Sequence, residues 1–186
     1  MLAWRQDIGA VRADISLLKG RIGEGFVEAI LRRAGYFVAR VGRETQMPRL
    51  MKSGTDTYLP DLLAWRQENT GGEQGDTPLY RFVAVEVKYR WNPDDLLRRP
   101  VPLELADAHR QWPDFRVVLV TDHPPEGRSC FQVVRWNDAG VAESEDLVNA
   151  GLDIYQGTID IFSALLKEVF RVLSDATAGD NLRGGN

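Results

Sequence analysis

The chain has 186 residues, 44% hydrophobic and 27% charged, the profile of one globular domain with a sizeable core. A single cysteine, Cys130, excludes an internal disulfide and a cysteine-based metal site, and only His109 and His123 stand for imidazole chemistry. The formal net charge of −4 does not mark a nucleic-acid binder, but the charge is unevenly spread. Residues 1–93 carry 14 Lys/Arg against 11 Asp/Glu, and residues 94–186 carry 9 against 16.

At the N-terminus, Trp4, Ile8, Val11, Ile15, Leu18 and Ile22 recur with heptad spacing. The pattern predicts a helical arm over residues 1–19, either lying on its own domain or forming the end of a coiled coil that pairs two chains or tethers this one to a partner. Gly20, Gly23 and Gly25 predict a break. A second helix is expected over 22–34, with Phe26, Val27, Ile30 and Leu31 inward and Gly35 as its stop. Tyr36–Val41 reads as a strand, and 42–56 as polar irregular chain.

A second strand is expected over 57–66, with Pro60 near its start, then a glycine-rich loop over 67–78. Leu79–Arg90 is the strongest strand pattern. Phe82 to Val85 is continuously apolar, as in a buried central strand, and the alternation beyond it puts Glu86 and Lys88 on one face. A short helix around 102–112, strands over 115–121 and 129–136, and a helix over about 156–175 follow. The Gly-rich tail, 177–186, is expected to be disordered, and residues 20–176 to form the domain. The order predicts an α/β fold with a mixed central sheet flanked by helices. Neither a signal peptide nor a membrane-spanning stretch is evident, so a cytoplasmic protein without a membrane partner is expected.

Asp61 follows Pro60 on one predicted strand, and Glu86 and Lys88 lie on the next. If the strands pair, Asp61 and Glu86 converge. Burying Glu86 between Val85 and Val87 is costly without compensation, which a divalent cation with hard oxygen ligands would supply. Lys88 could then orient or help deprotonate a water and stabilise negative charge on a phosphate. The plain alternative is a same-face Glu86–Lys88 ion pair with Asp61 at a strand edge.

Taken in order, KGRIGEGFVEAILRRAGYFVAR, PDLLAW and VAVEVKYR resemble the PD-(D/E)XK, restriction-endonuclease-like nucleases, and among them the Holliday-junction-resolvase-like enzymes. The resemblance covers roughly residues 19–120. It implies a restriction-endonuclease-like fold and Mg²⁺- or Mn²⁺-dependent hydrolysis of phosphodiester bonds in nucleic acid, with DNA favoured over RNA and the choice between them left open. It implies Asp61 and Glu86 as metal ligands, Lys88 as the catalytic lysine, Glu24 as a direct or water-mediated ligand with Glu28 as rival, and the Val87 carbonyl as an extra ligand. Arg40, Arg43, Arg49, Lys52 and Arg90 are candidate nucleic-acid contacts, and duplex cleavage would suit a homodimer. His109, Arg110 and Gln111 are candidates for the polar residue that relatives place on the following helix. The competing reading is an inactive nuclease-fold module that binds nucleic acid or protein.

Overall fold

A computed structural model describes residues 3–41, 58–68, 79–137 and 140–183, with side chains described from Ala13 to Asp175 within these ranges. Helix α1 runs unbroken over Ala3–Arg33, so the expected break at Gly20–Gly25 is absent. Inward-facing apolar positions continue through the glycines, with Ile22 and Phe26 against the core and Val27, Ile30 and Leu31 fully within it. Such tertiary burial outweighs the roughly 1 kcal/mol that each helical glycine costs. Gly23 faces Val120, where an added Cβ would just touch Cγ1 at 3.4 Å and a larger side chain would have no room. Gly35, at φ 86°, ends the helix as its sequence position predicts; its N–H donates to Arg32 O and the Tyr36 N–H to Leu31 O, each at 3.1 Å.

The heptad pattern marks the face that packs only in part: Ile22 lies against the core, whereas Leu18 does not. Leu17 and Leu18 are 60% and 43% exposed, whereas Lys19 is buried. The side chains of Trp4, Ile8 and Val11 lie outside the described residues, and so does any pairing through them.

Six strands follow in one mixed sheet: β1 (Phe37–Arg40), β2 (Leu62–Glu68), β3 (Leu79–Tyr89), β4 (Phe115–Val120), β5 (Phe131–Trp136) and β6 (Ala142–Asp146). Their spatial order is their sequence order. Only β3 and β4 pair parallel, and helices α2 (Asp94–Leu97) and α3 (Leu103–Gln111) form the crossover between them, as a parallel connection requires. A single 3-10 turn, Leu147–Asn149, leads to helix α4, Gln156–Arg183. This helix outruns its expected end, so the segment expected to be disordered is helical over 177–183. Strand β6 was not evident from its sequence, AESED, because an edge strand of acids carries no apolar alternation. No described helix is long and apolar enough to cross a membrane.

The alternation of β3 separates two cores. Val83, Val85 and Val87 join Val27, Ile30, Leu31, Ile159, Leu166 and Phe170 beneath α1 and α4. Ala84 joins Leu105, Ala108, Phe115 and Val117 beneath α2 and α3. Phe82, expected to be buried, is 55% exposed. It shares its sheet face with Ala84, where Trp65 lies opposite it and Phe37 lies opposite Trp65. The second core is centred nearer β4, which leaves these rings at its margin.

Candidate active site

Register brings the two expected acids together. Leu62 pairs with Val85, so the next positions outward are Asp61 and Glu86. Asp61 lies one residue before β2 rather than inside it, and this is where the strand pair opens. Its carbonyl accepts the Val41 N–H at 3.0 Å, which holds the residue to the chain leaving β1. Its Oδ2 accepts the Val87 N–H at 2.7 Å, a bond that fixes the side chain across the mouth of the β2–β3 pair.

Glu86 is only 6% exposed, on the α3 side of the sheet. The Lys88 ammonium, two residues on and on the same face, forms an ion pair with its Oε1. Burial first, then the charges of Glu86 and Glu24, push the Asp61 carboxyl up to about 6, against the opposing pull of the Val87 N–H and Lys88. The charges of Glu86 and Glu24 therefore both oppose ionisation of Asp61 in a partly desolvated space. Glu24 exerts its charge from α1, whose neighbouring Gly23 faces Val120 on β4.

Glu28 serves a different purpose. Arg40 Nε lies 2.7 Å from its Oε2, and Arg32 Nη2 2.9 Å from its Oε1. Burial would raise the Glu28 carboxyl, but these two guanidinium bonds outweigh it and hold the group below its ordinary range. Arg32 Nη2 also donates to Val38 O at 2.6 Å, so this triad pins α1 to β1. Arg40 is thereby engaged by Glu28, though half exposed. Arg90 donates from Nη1 to Tyr89 O at 2.7 Å. Arg43, Arg49 and Lys52 lie outside the described residues.

Tyr58 is the residue that the sequence reading missed. Its hydroxyl lies within reach of Glu86, and burial, followed by the Glu86 charge, raises it well above the usual phenol range. Helix α3 grips its backbone at both polar atoms. The Tyr58 N–H donates to Gln111 Oε1 at 2.8 Å, and Trp112 Nε1 donates to Tyr58 O at 3.1 Å. Its ring meets Phe115 edge-on at 5.7 Å. Of the three polar candidates near the end of α3, Gln111 thus acts on this segment. Arg110 pairs with Asp107, and His109 is exposed with its ring against Phe115 at 5.9 Å.

A second charged cluster lies on the opposite face. Buried Lys19 reaches Asp122 Oδ2 at 3.2 Å and Ser174 Oγ at 3.1 Å, with its ammonium 4.9 Å from the centre of the Phe170 ring. Asp122 also accepts from the Tyr89 hydroxyl at 3.0 Å. The cluster joins α1, β3, α4 and the chain just after β4, so it ties α1 to α4 over the sheet.

The donor set suits a hard divalent cation. Asp61 and Glu86 are carboxylates in a partly desolvated space, and the charge that raises Asp61 is the charge a cation would neutralise. Among the described residues, no three carboxylate, imidazole or thiol groups converge closely enough to form a coordination set by themselves. Mg²⁺ does not require one, because it commonly takes one or two carboxylates and completes its shell with water and substrate phosphate. Comparison with family models, curated proteins and solved structures yields no match.

Proposed function

We propose that the chain is a metal-dependent nuclease with a restriction-endonuclease-like domain, hydrolysing phosphodiester bonds in nucleic acid, with DNA as the favoured substrate. One observation carries the reading: Asp61 and Glu86 face each other where β2 and β3 part, with Lys88 on Glu86 and Glu24 within electrostatic reach. Buried acids that repel one another are costly as structure and useful as ligands.

In this reading Asp61 and Glu86 hold Mg²⁺ or Mn²⁺, with Glu24 and the Val87 carbonyl as further ligands. The bound cation would polarise the phosphate and make water more acidic. The Val87 N–H keeps the Asp61 carboxylate turned into the site. Lys88, on the face of Glu86, orients the attacking water and offsets charge on the phosphate. Hydrolysis adds the water oxygen to phosphorus, breaks one P–O bond, and transfers a proton to the departing oxygen.

A non-catalytic binding module is the second reading, favoured by the absence of three converging ligands among the described residues. Cleavage of branched, single-stranded and linear DNA with Mg²⁺ or Mn²⁺ separates the two. Wild type should cut at least one substrate, and Glu86→Ala and Lys88→Ala should each lose at least 100-fold, the scale on which a lost transition-state contact is felt. Equal activity in all three proteins would refute the assignment.

A further inference from the structure

The acidic site is reached through a segment that another helix holds still. Between Tyr58 and Asp61 there are only two residues, Leu59 and Pro60, and Pro60 is buried with its φ fixed by its ring. Whatever fixes Tyr58 therefore helps to fix Asp61. Two hydrogen bonds from α3 do so, one to the Tyr58 N–H and one to its carbonyl, so the backbone can neither slide nor rotate without losing a bond. The Tyr58 ring rests on Phe115, at the start of β4, and its hydroxyl meets Glu86 on β3. One residue thus approaches one acid with its side chain and leads into the other by its backbone.

We propose that Tyr58, clamped by Gln111 and Trp112, is a positioning residue that sets the Asp61–Glu86 pair at the separation needed to share one divalent cation. The inference rests on the metal-site reading above and goes beyond it, because none of these three residues belongs to the acid–lysine set. Hydrogen-bonded partners behind a ligating carboxylate set its orientation, and losing one commonly weakens metal binding or activity by about 10–100-fold. Glu86 fits that description: its carboxylate pairs with the Lys88 ammonium and has the Tyr58 hydroxyl within reach. Without the hydroxyl, Lys88 alone would direct it.

The test is titration of the full chain with MgCl₂ by calorimetry, alongside thermal melting in the absence of metal. Tyr58→Phe keeps the ring on Phe115 and removes only the hydroxyl. It should melt close to wild type and bind Mg²⁺ about 10–100-fold more weakly. Gln111→Leu removes the acceptor for the Tyr58 N–H and should weaken Mg²⁺ binding in the same direction. Wild-type Mg²⁺ affinity in both variants would overturn the proposal while leaving the metal site standing. If wild type takes up no Mg²⁺, or Asp61→Ala binds it equally well, the metal-site reading falls and this inference with it.

Discussion

Asp61→Asn should make the metal-free protein more stable at neutral pH. The Asp61 carboxyl is held at about 6 against an ordinary 3.8, by burial and by the charges of Glu86 and Glu24. A carboxyl raised in the folded state binds its proton more tightly there than in the unfolded chain. Folding therefore carries no penalty from this group below about pH 4, acquires one between about pH 4 and 6, and bears it fully above. At about 1.4 kcal/mol per pH unit the ceiling is about 3 kcal/mol. Partial solvent access and sharing of the repulsion with its neighbours reduce the expected net to about 1–2 kcal/mol. Asparagine retains an oxygen for the Val87 N–H and removes the charge. In a chain of this size, the gain corresponds to a Tm rise of roughly 3–6 °C. Thermal unfolding followed by circular dichroism at pH 7.5 and pH 4, in chelator, reads it. The variant should lead at pH 7.5 and lose most of its lead at pH 4. Millimolar Mg²⁺ should raise the Tm of wild type and leave that of the variant unchanged. A variant less stable than wild type at pH 7.5, or a gap equal at both pH values, would refute the electrostatic account.

Two further stability measurements probe the frame of the site. Gly20 has open space where a Cβ would go, whereas Gly23 faces Val120. Gly20→Ala should gain about 1 kcal/mol by helix propensity, and Gly23→Leu should lose about 1–3 kcal/mol by overpacking, both read from urea unfolding midpoints. Opposite results would mean that α1 does not approach β4 as described. Lys19→Met should cost about 3–5 kcal/mol by leaving Asp122 buried without its cation. Lys19→Met/Asp122→Leu should recover part of that loss; a double variant no better than Lys19→Met would show that the pair is not energetically linked.

The arrangement of the candidate site was legible where its geometry is local and where the strand period is strict. Glu86 and Lys88 share a face because they are two residues apart, and Asp61 meets Glu86 because the hairpin register is uniform from Leu62–Val85 to Glu68–Leu79. Gly35 was legible because a left-handed residue after a helix has few alternatives. The contacts that arise from tertiary structure were not. Nothing around Tyr58 announces that Gln111 and Trp112, more than fifty residues later, will grip it. Lys19 lies off the heptad seam of its helix, and nothing in the sequence ties it to Asp122, more than a hundred residues later. Glycines suggested a helix break because propensity is local, while the burial that carries α1 through them comes from elsewhere in the chain.

The pairing of α1 with α4 has a consequence for synthesis. Neighbouring strands in the sheet are neighbours in sequence, so each can dock as soon as the next is made. The first helix has no such near partner for part of its apolar side. Phe26 meets Phe162 edge-on, and Lys19 reaches Ser174 across 155 residues. Until the final helix emerges from the ribosome, Val27, Ile30 and Leu31 lack the cover that Ile159, Leu166 and Phe170 bring to their core. A nascent or truncated chain that stops before α4 thus presents a sticky helix and an incompletely roofed sheet, the kind of surface that chaperones hold and that aggregates when they do not.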